Sequence, residues 1–346
     1  MIKLIGRLKL WQKFAVLGVL AIAMVLPPTL LAVKQTWDAA NTARAEAQGL
    51  KPSADAIKLL QLTQQQRTLA SLALNGDSAV VSLRTSQQQQ LERALDAARQ
   101  SSRALGDAKL DQRVDQWASR WHGIAKQIQA NAINGAASQE QLTALVAEQI
   151  EILDAIGDAS TLSLDPEATS YFIQLAVLHQ LPALSEALEQ ARSRGALLLA
   201  QPEMSAADRS VYATLLGPIR VGLRAAQQVL VKATDADPTV ASALEGAMNK
   251  AWAADEQALK LLSERIVDAK APRLDVREYL AVTGPYSDAH FALMDAVLGK
   301  LQQILQDREA KYRQTLLWTL VLIAVAASLA AWLATVITRI TSRAAR

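Results

Sequence analysis

The 346 residues carry 36 Lys and Arg against 33 Asp and Glu, and no cysteine, which excludes a disulfide framework, a thiolate metal site and a cysteine nucleophile. Aromatic residues make up 4% of the chain, with 14 Gly and 10 Pro, a composition of helix formers that indicates long helices rather than sheets. Lys3, Arg7, Lys9 and Lys13 at one end and Arg339, Arg343 and Arg346 at the other have no acids beside them, which leaves 29 basic residues against 33 acidic in between; the basic ends read as cytoplasmic flanks of membrane spans, not as a nucleic-acid patch.

Residues 1–13 are a basic start. Phe14 to Val33 follows as 20 uncharged residues between Lys13 and Lys34, a candidate first span (14–33). A cleaved signal peptide would begin the same way, but Thr29-Leu-Leu-Ala-Val-Lys34 is a poor cleavage site, so an uncleaved anchor is expected. Pro27-Pro28 predict a kink near its outer end.

Residues 34–313 read as helix almost throughout. Breaks are expected at Gly49 to Pro52, Asn75 to Ser78, Gly106-Asp107, Asn134-Gly135, Asp165-Pro166, Gln201-Pro202, Asp235 to Pro238, Ala271-Pro272 and Gly284-Pro285. Caps are expected at Ser53, Ser78, Ser138, Asp165, Ser205, Asp237 and Ser287, with Pro166 and Pro238 at first helical positions. No stretch alternates with period two as strands do. Gln87 to Gln90 sit among leucines at helical spacing and read as a solvated helix face. Trp117 and Trp121, four apart, read as core.

In the helix from Ser53 to Leu74, Gln65, Gln66 and Arg67 interrupt faces that would otherwise bury cleanly. A buried Arg67 needs an anion. A ligand held between helices would serve through a forked contact, and so would a carboxylate on a neighbouring helix; the alternative to burial is a side chain that snorkels to water. Arg67-Thr-Leu-Ala-Ser-Leu-Ala73 and Arg194-Gly-Ala-Leu-Leu-Leu-Ala200 share the frame Arg-x-x-x-x-Leu-Ala before a turn. Duplication and chance similarity both fit. Tyr171, Leu175, Leu178 and Pro182 share a later helix face with His179 at its margin, and Pro182 should kink that helix, opening a pocket or merely serving packing.

The histidines His122, His179 and His290 lack metal-ligand spacing, and no phosphate loop, nucleophile elbow or calcium loop is present. No catalytic residue, metal or cofactor is expected. Gln314 to Thr338 is the second candidate span (314–338), 25 uncharged residues covering ~37 Å of helix against a hydrocarbon core of ~30 Å, with Trp318 and Trp332 towards its ends. The chain just before it has no breaker after Gly284-Pro285, so one helix of roughly 50 residues is expected to start there and run through the span. The expected fold is all-α: two transmembrane helices flanking an elongated extracytoplasmic domain of two stacked helical bundles, the first and last helices continuous with the spans.

This layout resembles the sensing half of bacterial transmembrane receptors, namely methyl-accepting chemotaxis proteins, sensor kinases and diguanylate cyclases. Leu60-Gln-Leu-Thr-Gln-Gln-Gln-Arg-Thr-Leu-Ala70 is similar to a Gln-x-His-Arg-Gly-Leu-Ser-type motif of helical sensor domains, and nitrate/nitrite-sensing domains carry a comparable Glu-Arg-Gly-Leu-Ser box. Arg67 and Leu69 match; Gln66, Thr68 and Ala70 depart. Leu164-Asp-Pro-Glu-Ala-Thr-Ser-Tyr171 resembles an Asp-Pro-x-x-x-Ser-Tyr-Tyr signature of the same receptors, Asp288 to Asp295 the start of their last helix, and Ile337 to Arg343 the start of a HAMP linker, placed at 339–346. The resemblance implies a bacterial inner-membrane homodimer with both termini cytoplasmic. An anionic small ligand or a periplasmic protein would be sensed by Arg67, Gln66, Tyr171, Arg194 and His179, and a small shift of the last helix would reach a cytoplasmic, chemotaxis-type output module. The alternative is a membrane-anchored envelope protein whose helices bind a partner without sensing a small molecule.

Overall fold

The computed structural model describes residues 10–201, 203–269 and 275–343, which are mostly helix, joined by short connections, with no strand among them. Ten α-helices follow one another: α1 (Leu10–Gln48), α2 (Leu50–Leu74), α3 (Val81–Arg103), α4 (Ala108–Gln129), α5 (Gly135–Ala159), α6 (Ala168–Leu175), α7 (Leu181–Leu199), α8 (Ala206–Ala236), α9 (Pro238–Leu262) and α10 (Val276–Arg343). The all-α expectation holds. Two helical stretches, Val16–Leu74 and Val276–Ile337, are long and apolar enough to cross a membrane, and their most apolar windows bury nothing within the chain. Residues 1–9, 202, 270–274 and 344–346, and with them Lys3, Arg7, Lys9, Pro202, Ala271-Pro272 and the end of the HAMP-like stretch, lie outside the described residues.

Local chemistry sets the helix ends. Asp107 accepts from the backbone N–H of Lys109 and Leu110 at 2.8 and 2.9 Å and starts α4; Asn134 accepts from Ala137 and starts α5. Ser205 and Asp208 form a reciprocal capping box on α8, and Asp237 with Pro238 starts α9. Five expected caps are not helix caps: Ser53 lies inside α2 and donates to Gly49 O at 2.8 Å, Ser138 and Ser287 lie inside helices, Asp77 rather than Ser78 caps the short turn there, and Glu167 rather than Asp165 is the N-cap of α6. At Ser78 and Ser138 an acid or amide one to four residues upstream, Asp77 or Asn134, reaches the free N–H groups from an extended backbone instead. Pro166 precedes α6, whose N-cap is Glu167, so it is not at a first helical position.

Two breaks differ from expectation. Gly49 interrupts the helix for a single residue, with Gly49 N–H bonded to Glu46 O and Ser53 N–H to Gly49 O. Gly284-Pro285 does not break α10 at all: Pro285 is inside it, and the helix starts at Val276 behind Asp275, whose carboxylate accepts from Arg277 N–H at 2.8 Å. The long helix therefore begins earlier than the Gly-Pro pair indicates and counts 68 residues.

Residues Ala45–Leu305 form one compact unit; the described parts of Met1–Arg44 and Gln306–Arg346 form another. In the first, α2 packs along α3 and α5, and α4 closes that group against both. The buried stripe Leu110, Val114, Trp117, Trp121, Ala125 and Ile128 of α4 repeats at helical spacing, each large side chain contributing about 1.5–3 kcal/mol. Trp117 and Trp121 are core as expected, with indole N–H groups donating to Leu145 O and Glu92 Oε1. Gln87 departs from the expected solvated face: it is buried and donates to Gln65 Oε1 at 2.6 Å. A second group gathers α6, α7 and α9 around α8. Helix α7 also packs on α2 and α5, so it belongs to both groups.

Candidate functional site

The interior of the 45–305 unit is polar where α2, α5 and α7 meet. Arg67 of α2 is fully buried. Its Nη1 donates to Glu186 Oε1 at 2.5 Å and to Thr143 Oγ1 at 3.1 Å, and its Nη2 to Glu186 Oε2 at 3.2 Å. Glu186, on α7, further accepts from Gln64 Nε2 at 3.0 Å and Gln190 Nε2 at 2.7 Å. Nearby on the same helices, Gln139 Oε1 accepts from Ser71 and Ser193, and Gln149 Nε2 donates to Thr63. Of the three readings of Arg67, the carboxylate on a neighbouring helix is what occupies it, and full burial rules out snorkelling to water. A bidentate pair out of water is stable only when its remaining lone pairs are also engaged, and the two glutamines do that for Glu186.

The network is not saturated. Both amide atoms of Gln66, Gln64 Oε1, Arg67 Nε and Thr68 Oγ1 are buried without a hydrogen-bond partner. Unpartnered polar atoms of this kind cost about 1–3 kcal/mol each, and their concentration on one helix marks α2 between Gln64 and Thr68 as a place where polar binding capacity is kept open.

Helix α7 connects this interior to α10. Three residues past Glu186, Glu189 pairs with Arg192 at 3.1 Å, and Arg192 Nε donates to Thr283 Oγ1 of α10 at 2.9 Å. Gly195 lets α10 approach: a Cβ there would lie 2.5 Å from the Tyr279 hydroxyl and 2.7 Å from Ile266. At its start, α7 follows a π-helical turn, Ala176–Gln180, in which Leu181 N–H bonds back to Ala176 O. Pro182 follows directly, in the first turn of α7, where its missing N–H is least costly. His290 Nε2 of α10 then donates to Leu181 O at 2.9 Å, while its Nδ1 faces Asp255 Oδ2 of α9 at 3.5 Å, both side chains buried. Burial pushes the hydroxyls of Tyr212 and Tyr279, which lie beside each other against α7, above the usual tyrosine range.

The five expected site residues fall in separate neighbourhoods. Arg67 and Gln66 lie in the buried network. Arg194 is half-buried near Asp208, so the two arginines of the repeated frame have different surroundings, although each frame closes its helix before a turn as expected. Tyr171 is 40% exposed and stacks edge-on against Phe172. His179 sits in the π-helical turn, 3.6 Å from Asp154. Sequence reasoning missed Glu186, Arg192, Asp255 and His290. A signal for the first was present: Glu186, Gln190 and Ser193 recur at helical spacing among Leu184, Leu188 and Ala191, a polar stripe on an otherwise apolar helix.

No family model and no curated protein matches the chain. Among solved structures it is similar to that of the NasR transcription antiterminator, with a TM-score of 0.61 and 13% identity over 92% of this chain and 86% of that one. At that identity the likeness is one of fold.

Proposed function

We propose that this chain is the input module of a two-span bacterial membrane receptor. In this reading residues 34–313 form an extracytoplasmic sensor of two stacked helical bundles, and 14–33 and 314–338 cross the membrane with both termini inside. A ligand that rearranges the Arg67–Glu186 network displaces α7, and α10 relays that displacement as a shift of about 1–2 Å. The observation that carries the reading is the double attachment of α7. One face holds Arg67 through Glu186, and other positions hold α10 at Leu181, Arg192 and Gly195. Helix α10 then continues without a break into a stretch whose leucines, valines and tryptophans face outward. Any catalytic output lies in another module.

The open polar atoms around Gln66 fit a small polar ligand, and an anion fits if it takes the place of the Glu186 carboxylate. The antiterminator role of the structural neighbour is not carried over, since at 13% identity the likeness is one of fold alone.

Two measurements test the proposal. Reporter fusions within 34–313 and at the ends should show that segment outside and the ends inside. Thermal-shift screening of the full chain against nitrate, organic acids and amino acids should find a stabilising compound whose effect is lost in Arg67→Ala. Correct topology with no stabilising compound would favour the anchored partner-binding protein, and a soluble chain would refute both.

A further inference from the structure

Within the unit containing α1 up to Arg44 and α10 from Gln306, a groove of about 990 Å³ runs between the two helices. Its lining is graded along each helix. On α10, Arg313 and Gln314 are followed by Leu316, Leu317, Trp318 and Leu320; on α1, Trp37 and Ala40 are followed by Asn41 and Arg44, so each guanidinium lies on the side of its indole away from the uncharged run of its helix. Both indoles are well exposed, at 55% and 60%. Arg44 follows Trp37 by seven residues and Arg313 precedes Trp318 by five, so each guanidinium stands about 7–10 Å further from the apolar stretch than its indole. The groove holds one acid, Glu309, which lies 3.8 Å from Arg313; Arg44 is exposed and has no carboxylate within ion-pair distance among the described residues.

We propose that this groove binds one anionic glycerophospholipid, acyl chains against the leucines and indoles and phosphate between Arg44 and Arg313. The assignment rests on the two-span reading above. Guanidiniums at one end and leucines and indoles towards the uncharged runs match the head and tails of a lipid along the membrane normal. The uncompensated positive charge selects an anionic head: a zwitterionic lipid offers the same phosphate but adds a cation next to Arg44.

The test uses the full chain purified in detergent, then in nanodiscs. Extraction of membranes with alkaline carbonate comes first; a chain that washes out refutes the two-span reading and this site together. For an inserted chain, native mass spectrometry should show phosphatidylglycerol retained in preference to phosphatidylcholine. Arg44→Gln and Arg313→Gln should each lower that retention about fivefold, the factor corresponding to about 1 kcal/mol per arginine near an anionic surface, while Arg224→Gln on α8 leaves it unchanged. Soluble inorganic phosphate should not compete. Equal retention of both lipids, retention unaffected by the two substitutions, or displacement by phosphate would each overturn the lipid site and leave the two spans standing. Efficient disulfide dimers of Asn41→Cys in a phosphatidylglycerol bilayer would overturn it too, by showing that a second copy fills the groove.

Discussion

The carboxylate of Glu186 grips the buried guanidinium of Arg67 with both oxygens, at 2.5 and 3.2 Å, and joins α7 to α2 where no water reaches the arginine. Removing one partner strands a charge. Glu186→Gln is expected to destabilise the full chain by about 3–5 kcal/mol, measured by denaturant unfolding in micelles. It should also make stability depend on added small anions, which can neutralise Arg67 in place of the lost carboxylate. The paired change Arg67→Met with Glu186→Leu should recover most of the loss, because two apolar side chains of similar size need no compensation. A Glu186→Gln variant as stable as the parent, in any salt, would show that the pair holds nothing together.

The helical class, the two apolar stretches and most turns were legible because each depends on local pattern: runs of uncharged residues, Gly and Asn at turns, leucines at helical spacing. Arg67 was legible as a buried cation for the same reason, since it interrupts an apolar face of α2. Its partner was not, because Glu186 lies 119 positions away and pairing across helices leaves no local trace. Pro285 misled for the opposite reason. A strong local breaker was tolerated inside α10, whose start is fixed by the cap at Asp275 and whose buried Tyr279 and Thr283 lie upstream of the proline. Tertiary packing outweighed propensity there.

Asp115 of α4 gives a dependence on pH. Arg99 donates to it from Nε at 3.0 Å and Nη2 at 2.6 Å, and Arg103 approaches at 3.4 Å. The hydrogen bonds from Arg99, helped by the charges of Arg99 and Arg103, hold its carboxyl below the usual aspartate range. A lowered folded-state value means the contribution is present above the unfolded value and is lost as pH falls through the folded one. The parent should therefore exceed Asp115→Asn in stability by about 0.2–1 kcal/mol at neutral pH, small because the pair is solvent-exposed. That margin should stay constant down to about pH 5 and shrink below about pH 4. Parallel thermal melts across pH read this directly, and a margin that grows on acidification contradicts it.

At Gly195, α7 and α10 approach closely. A methyl group there meets the Tyr279 hydroxyl at 2.5 Å, its ring carbon Cζ at 3.0 Å and Ile266 at 2.7 Å, and Tyr279 and Ile266 are both fully buried. Neither has space to withdraw, so Gly195→Ala should cost about 1–3 kcal/mol through overpacking, despite the helix preference for alanine. Tyr279→Phe removes the nearest atom and should recover part of that cost in the double variant. Simple additivity of the two substitutions, measured as a double-mutant cycle, would show that they do not touch.

The last prediction concerns the relay itself. At Lys311, an exposed position of α10, proline would remove the N–H bonded to the preceding turn and press its ring against that turn's carbonyl, a local cost of about 3 kcal/mol. The site lies outside the compact 45–305 unit, so unfolding of that unit, membrane insertion and the thermal shift caused by a bound ligand should all persist in Lys311→Pro. Signal transfer should not. The chain has no cysteine of its own, so a spin label on Ala324→Cys reports α10 alone. Ligand should alter its spectrum in the parent and leave it unchanged in the proline variant. The same ligand-dependent change in both would mean that α10 is not the element that carries the displacement.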